Sequence, residues 1–150
     1  MNRILIIFFI TMSIFLEGCK EKNIEDFNAV KIKDSILFVE KAITEKQKQT
    51  GLMFRTSLKT NWGMIFLFNP PTIPYFYMKN TAIPLDIIFI SKDKQIVSIK
   101  SMQPFDEKTH HYPDVPVAYA LEVNQGWSLK HNISVGDKVI FIKLSKGSVK

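Results

Sequence analysis

The segment Val117-Ala118-Tyr119-Ala120-Leu121-Glu122-Val123 alternates between large and small side chains, which is typical of a β-strand. Successive side chains of a strand point to opposite faces, so one face carries the four large residues and the other carries two alanines and Glu122. A carboxylate beside two alanines indicates that another backbone or a ligand approaches that face closely. The segment therefore predicts a strand with one ionisable group on an otherwise apolar face.

Further β-rich segments lie on both sides of this strand. Runs of β-branched and aromatic residues between turn residues predict strands at 29–33, 36–42, 63–68, 75–81, 85–91, 95–102 and 138–144. We expect Pro70 and Pro71 to end the third of these strands. About eight short strands with sparse helix predict a mainly β fold, at the margin of the α+β class, built as a single-domain sandwich or a partly closed barrel.

Two short helices interrupt the predicted strands. Thr44 and Gln47 have the spacing of a capping box, which predicts a helix running to about Met53. The second helix is expected to follow Gly126-Trp127, with Asn132 as a left-handed cap after it.

Composition excludes several classes of protein. The chain has 150 residues, of which 46% are hydrophobic and 23% charged, and it contains one cysteine. These values exclude a disordered chain, a collagen-like repeat and a disulfide scaffold, and they fit one domain with a genuine core. The net charge of +6 would attract the domain weakly to anionic surfaces, but such an excess more often serves solubility.

The N-terminal segment predicts export. A basic head precedes an apolar run at 4–16, which is shorter than the about 20 residues that a membrane-spanning helix needs and has the length of a signal-peptide core. The run ends at Leu16-Glu17-Gly18-Cys19, which resembles a bacterial lipoprotein processing box. This resemblance implies cleavage before Cys19, lipidation of its thiol and acylation of the new terminus. An ordinary signal peptide or signal anchor with an incidental cysteine is the alternative.

These observations define an expected organisation of the chain. We expect a signal peptide at 1–18, a polar tether at 19–28, one β-rich domain at 29–144 and a tail at 145–150. The mature protein is then a lipoprotein held at a membrane through Cys19, facing the periplasm or the cell exterior. Nucleic acid is not an expected partner of an exported domain.

Four charged residues lie inside apolar segments, and they are Arg55, Lys79, Asp86 and Glu122. Burying a charge is costly unless it is paired, so the first interpretation is ion pairs that pin the strand ends. The second is a polar pocket, lined by these charges together with Tyr75, Tyr77, Asn80 and Thr81. Aromatic faces with a few fixed polar groups suit a sugar, a peptide or a small polar ligand.

Catalytic interpretations are narrower. Asp86 and Glu122 are the embedded carboxylates that could act in glycoside hydrolysis, which needs two such groups about 5 to 10 Å apart across a cleft. A serine triad has no nucleophile-elbow motif to support it. The adjacent His110 and His111 lie near acidic residues, but neighbouring histidines usually point apart, which favours a solvated loop. We predict no metal site and no cofactor.

Motifs along the chain resemble those of the domain-of-unknown-function family 192. They are Gly51-Leu52-Met53-Phe54-Arg55, Gly63-Met64-Ile65-Phe66, Phe76-Tyr77-Met78-Lys79-Asn80-Thr81, Ile83-Pro84-Leu85-Asp86, Tyr119-Ala120-Leu121-Glu122, Gly126-Trp127 and Val135-Gly136-Asp137. The resemblance implies a compact, mainly β domain that is usually exported or membrane-associated, and it supplies no established reaction. Its motif positions include all four embedded charges.

Three functions remain as expectations. The first is a lipid-anchored, non-catalytic binding or accessory domain for an envelope glycan, peptide or small polar ligand. The second is a hydrolase-like enzyme that uses Asp86 and Glu122 on an envelope glycan. The third is a purely structural or interaction role.

Overall fold

The computed structural model describes residues 26–145, which form a mainly β structure. Its strands are β1 Ala29–Ile32, β2 Ser35–Ala42, β3 Trp62–Thr72, β4 Leu85–Ile90, β5 Ile96–Met102, β6 Val117–Asn124 and β7 Val139–Ile142. Its helices are α1 Glu45–Thr50 and α2 Trp127–Lys130. The predicted signal peptide, Cys19 and most of the predicted tether lie outside the described residues, as does the tail beyond Ser145.

The seven strands form one sheet in the order β5-β4-β6-β3-β2-β1-β7. The β2–β3 pair is parallel, and the other neighbouring strands are antiparallel. An isolated bridge between Gln95 and Lys138 joins the two edges of the sheet at one end. There the Val139 N–H donates to the Lys94 carbonyl at 2.8 Å. The mainly β prediction is confirmed, and the curled sheet has the form of a partly closed barrel.

The sheet separates two apolar clusters. The inner core fills the barrel and takes residues from all seven strands, including Val30, Leu37, Ile65, Ile88, Ile96, Leu121 and Val139. The outer core lies on the opposite face of the sheet and includes Met64, Phe66, Ile87, Phe89 and Ala120. Leu52, Met78 and Ile83 come from the connecting segments and cover this outer face, so a second layer of chain packs against the outside of the barrel.

Both helices form close to the predicted positions. The capping box of α1 is present, because the Thr44 side chain accepts from the Gln47 N–H at 3.2 Å and the Gln47 side chain accepts from the Thr44 N–H at 2.9 Å. The helix ends at Thr50 rather than Met53, since Gly51 has a φ of 49° and turns the chain away. Asn132 has a φ of 54°, which confirms the left-handed cap.

Two strand predictions are wrong. The segment 75–81 is not a strand, because its backbone makes one bridge, from Phe76 to His111, and then turns between Met78 and Thr81. Pro70 and Pro71 do not end β3, which continues to Thr72. The β3–β6 register shifts between Leu67 and Thr72, so the prolines lie at an irregularity where a missing N–H is tolerated.

Among residues 26–145, no helix is both long and apolar enough to span a bilayer.

Candidate functional site

A cavity of about 340 Å³ opens on the outer face of the sheet. Residues 48–53, at the end of α1, form one side, and residues 73–77 form the other. The sheet contributes the side chains of Phe66, Phe68 and Glu122 to its floor. The second layer of chain therefore leaves a recess where it passes over β3 and β6.

Glu122 is the ionisable group on the floor of this cavity. On β6 it lies opposite Met64 of β3 and Ile87 of β4, and only 7% of its surface is exposed. Its Oε2 atom has no hydrogen-bond partner among residues 26–145. Trp127 Nε1 and Ser128 Oγ share this property, but they are neutral groups on α2. Glu122 is thus a buried carboxyl group with unused hydrogen-bonding capacity.

Burial controls the protonation of Glu122. Removal of water raises the pKa of its carboxyl group to about 8, and the nearby positive charge of Arg55 only partly opposes this. At pH 7 the carboxyl group is therefore mostly protonated and neutral. A protonated carboxyl can donate one hydrogen bond as well as accept others.

Glycines allow the chain to pack closely around Glu122. A Cβ atom on Gly51 would lie 3.7 Å from Glu122 Oε2 and 3.4 Å from Phe66 Cζ. A Cβ atom on Gly63 would lie 2.5 Å from the Glu122 backbone oxygen, a distance at which atoms overlap. The positive φ of Gly51 also disfavours a larger residue at that position.

Arg55 lies beside the cavity and forms an ion pair with Glu40. Its guanidinium makes two hydrogen bonds to the Glu40 carboxylate, at 2.5 and 2.8 Å. This pairing lowers the pKa of Glu40 and raises the pKa of Arg55. Arg55 lines a second, separate cavity of about 300 Å³ with Glu40, Lys59 and Trp62. The positive charge of Arg55 also interacts electrostatically with Glu122, although no ion pair joins the two side chains in the described chain.

Asp86 faces away from Glu122. In the β4–β6 register Asp86 lies opposite Val123 while Ile87 lies opposite Glu122, so the two carboxylates point to opposite faces of the sheet. Asp86 accepts hydrogen bonds from Ser101 Oγ at 2.7 Å and from the Gly126 N–H at 2.9 Å. The prediction that Asp86 and Glu122 share one catalytic cleft is therefore wrong. Asp86 instead ties β4 to β5 and to the turn before α2.

The other predicted ligand-binding residues divide into two groups. Tyr75, Tyr77 and Thr81 line the cavity together with Glu122. Lys79 and Asn80 are exposed on the turn beyond it and do not line it. The Lys79 carbonyl accepts from Thr81 Oγ1 at 3.0 Å, so this turn holds Thr81 in place.

Aromatic side chains that the sequence analysis did not select complete the walls of the cavity. They are Phe66 and Phe68 of β3, together with Phe76. Strand alternation from Met64 could have found the two β3 residues, because they share its face. Phe76 was missed because a strand would have pointed it away from Tyr75 and Tyr77, and the segment is not a strand.

An ion pair lies at the mouth of the cavity. Lys48 of α1 contacts Glu45 at 3.0 Å. The Lys48 ammonium also lies 5.2 Å from the centre of the Phe68 ring. One aromatic wall of the cavity thus already carries a cation.

The histidines contact the aromatic wall. The His110 ring lies 5.3 Å from the Tyr75 ring, and His111 pairs with Phe76 through the backbone. Desolvation lowers the pKa of His111. In the part of the chain that the structure describes, no group of three or more histidine, cysteine or acidic residues is arranged to hold a metal ion.

Known proteins resemble this chain in sequence and in fold. A protein of unknown function from Novosphingobium aromaticivorans DSM 12444 is 39% identical, with a TM-score of 0.72 over 75% of this chain and 84% of that one. A proposed transcription regulator from Sinorhizobium meliloti 1021 is 33% identical, with a TM-score of 0.72 over 75% of this chain and 92% of that one. No curated protein matches significantly. Residues 28–141 match the family DUF192, described as uncharacterized ACR. This match covers most of the sequence, and the chain belongs to the DUF192 family.

Proposed function

We propose that this protein is a lipid-anchored envelope protein that binds a small polar ligand in the cavity on the outer face of its barrel. The observation that carries the proposal is the unpartnered Oε2 of Glu122 on the floor of that cavity. A buried polar atom without a partner costs free energy, and a ligand that supplies the missing hydrogen bond recovers it. Binding pockets commonly combine aromatic walls with a few fixed polar groups, as this cavity does.

Binding without turnover fits the site better than hydrolysis. Glycoside hydrolysis needs a second carboxylate across a cleft, and Asp86 lies on the other face of the sheet with its oxygens occupied. The cavity instead offers Glu122, the hydroxyl groups of Tyr75 and Tyr77, and stacking surfaces. These groups suit envelope saccharides, short peptides and other small polar molecules.

Ligand binding is tested by thermal shift and isothermal titration calorimetry against saccharides, dipeptides, small amines and cell-wall fragments. We expect at least one saturable ligand, whose affinity falls about tenfold in Tyr75→Ala because an aromatic contact is lost. Tyr112→Ala is the matched control, since Tyr112 is also an exposed tyrosine but does not line the cavity. No saturable binding across the panel, or equal losses in both variants, would contradict the proposed site and favour a structural role.

Anchoring rests on the apolar leader and on Cys19. Metabolic labelling with a radioactive fatty acid should label the wild-type protein and leave Cys19→Ser unlabelled. The wild type should fractionate with membranes, and the variant should lose that association because stable anchoring needs the acyl chains. Equal membrane association without label would favour an ordinary signal anchor.

A further inference from the structure

The charges around the cavity do not balance when Glu122 is ionised. Lys48 is paired with Glu45 at 3.0 Å, and Arg55 is paired with Glu40 through two hydrogen bonds. Each pair sums to zero charge. Within residues 26–145, Glu122 makes no ion pair, so its ionised carboxylate would leave one negative charge without a counterion at the cavity floor.

The walls of the cavity also favour positive charge. The Phe66 and Phe76 rings meet edge to face at 4.9 Å, and the Tyr75 and Tyr77 rings stack at 6.2 Å. Aromatic faces carry negative electrostatic potential and attract cations, and cages of such rings recognise quaternary ammonium groups. The Lys48 ammonium near Phe68 is an internal example of the same contact.

On this basis, and resting on the proposed function, we infer that the ligand carries a small ammonium group, seated against Glu122 between the aromatic walls. A cation balances the charge of the ionised Glu122 and also binds to the faces of the rings. A neutral polar molecule can contact the rings but cannot balance the charge. The ionised carboxylate of Glu122 would repel an anion, so in its ionised form the site favours a cation. A volume of about 340 Å³ is sufficient for a small quaternary amine.

Binding of a cation is coupled to a proton. In the free protein Glu122 holds a proton at neutral pH, because burial raises its pKa to about 8. When the ammonium group enters, the Glu122 O–H bond breaks, the proton leaves to solvent, and the carboxylate pairs with the cation. Affinity should therefore rise as pH increases, by up to about tenfold per pH unit until about pH 8, and then level off.

Other charged and titratable groups lie near the site. The charged and titratable groups around the cavity are Glu40, Glu45, Lys48, Arg55, Tyr75 and Tyr77. His110 contacts the two tyrosines, with ring centres 5.3 and 6.1 Å away. His110→Asn therefore serves as a control that separates an imidazole contribution from that of Glu122.

Choline and its uncharged isostere 3,3-dimethyl-1-butanol are the probes, titrated by calorimetry at pH 6 and pH 8 at constant ionic strength. We expect choline to bind at least tenfold more tightly than the isostere, and more tightly at pH 8 than at pH 6. Titrations in buffers of different ionisation enthalpy should show release of close to one proton at pH 6. Glu122→Gln should remove the proton release and most of the preference for choline, whereas His110→Asn should keep both.

The outcomes distinguish this inference from the proposed function. If the isostere binds as tightly as choline, the cavity is a binding site but the ammonium inference is wrong. If saccharides or dipeptides bind but choline does not, the cavity is again a binding site and the ammonium inference is wrong. If choline binds equally well to wild type and Glu122→Gln, Glu122 is not the countercharge and the inference also fails. No binding by any compound contradicts the proposed function as well.

Discussion

Replacing Glu122 by glutamine should stabilise the protein at neutral and alkaline pH. Burial raises the pKa of Glu122 from its ordinary value of 4.5, which applies in the unfolded chain, to about 8 in the folded protein. The unfolded chain therefore releases this proton at lower pH than the folded chain does. Between these two values the folded state binds more protons than the unfolded state, so the free energy of unfolding decreases as pH rises.

The magnitude follows from the same two pKa values. One pH unit corresponds to about 1.4 kcal/mol, so the ionisable Glu122 costs about 3 kcal/mol by pH 7 and about 5 kcal/mol above pH 8. Glutamine has nearly the same shape and no charge to lose. Wild type and Glu122→Gln should thus have similar stability at about pH 4, below both pKa values, and diverge progressively up to about pH 8, with the variant more stable.

Urea unfolding at each pH, followed by tryptophan fluorescence, measures this difference directly. Subtracting the wild-type curve from the variant curve removes the contributions of the other titrating groups. Glu107→Gln is the matched control, because Glu107 is exposed, and its curve should run parallel to that of the wild type. Parallel curves for Glu122→Gln and wild type would refute the reasoning, since they would mean that Glu122 is equally easy to ionise in both states.

Three further substitutions test the packing around the site. Gly63→Ala should lower the free energy of unfolding in urea by about 2 kcal/mol or more, because the added Cβ would lie 2.5 Å from a backbone oxygen, and an unchanged midpoint would contradict this contact. Asp86→Ala should lower it by about 2 to 4 kcal/mol, because Ser101 Oγ and the Gly126 N–H lose their acceptor, and a loss below about 0.5 kcal/mol would show that water replaces it. Phe54→Gly should leave the melting temperature unchanged or raise it, because Phe54 is 75% exposed with a φ of 64°, and a clear decrease would assign a packing role to its ring.

Local patterns predicted the elements whose stability is local. The capping box at Thr44 and the left-handed residue at Asn132 depend on backbone geometry within a few residues, and both are present. Alternation along 119–123 correctly separated Ala120 and Glu122 from the large residues of the inner core, because the period of a strand is the same wherever the strand lies. It was wrong at the start of the strand, where Val117 belongs to the outer core and Ala118 to the inner core, next to the shift in the β3–β6 register.

The failures came from long-range contacts. Segment 75–81 has the composition of a strand, but it crosses the outer face of the sheet and pairs with residue His111 rather than with a neighbouring strand. Pairing between distant segments decides whether such a run becomes a strand, and composition alone does not carry that information. The choice between sandwich and barrel likewise depended on the bridge between Gln95 and Lys138, which are far apart in the sequence.

The contrast between Asp86 and Glu122 shows how the structure separates stabilising charges from a candidate binding group. Both carboxylates are more than nine-tenths buried on neighbouring strands, and no sequence pattern distinguishes one from the other. Asp86 receives two hydrogen bonds, so removing it would leave its donors unsatisfied. Glu122 has an oxygen without a partner among residues 26–145 and space above it. For packing alone, a residue that cannot ionise would cost less free energy at this position. A buried ionisable group beside an open cavity breaks the rule that buried polar groups are paired, and such exceptions are expected at binding sites.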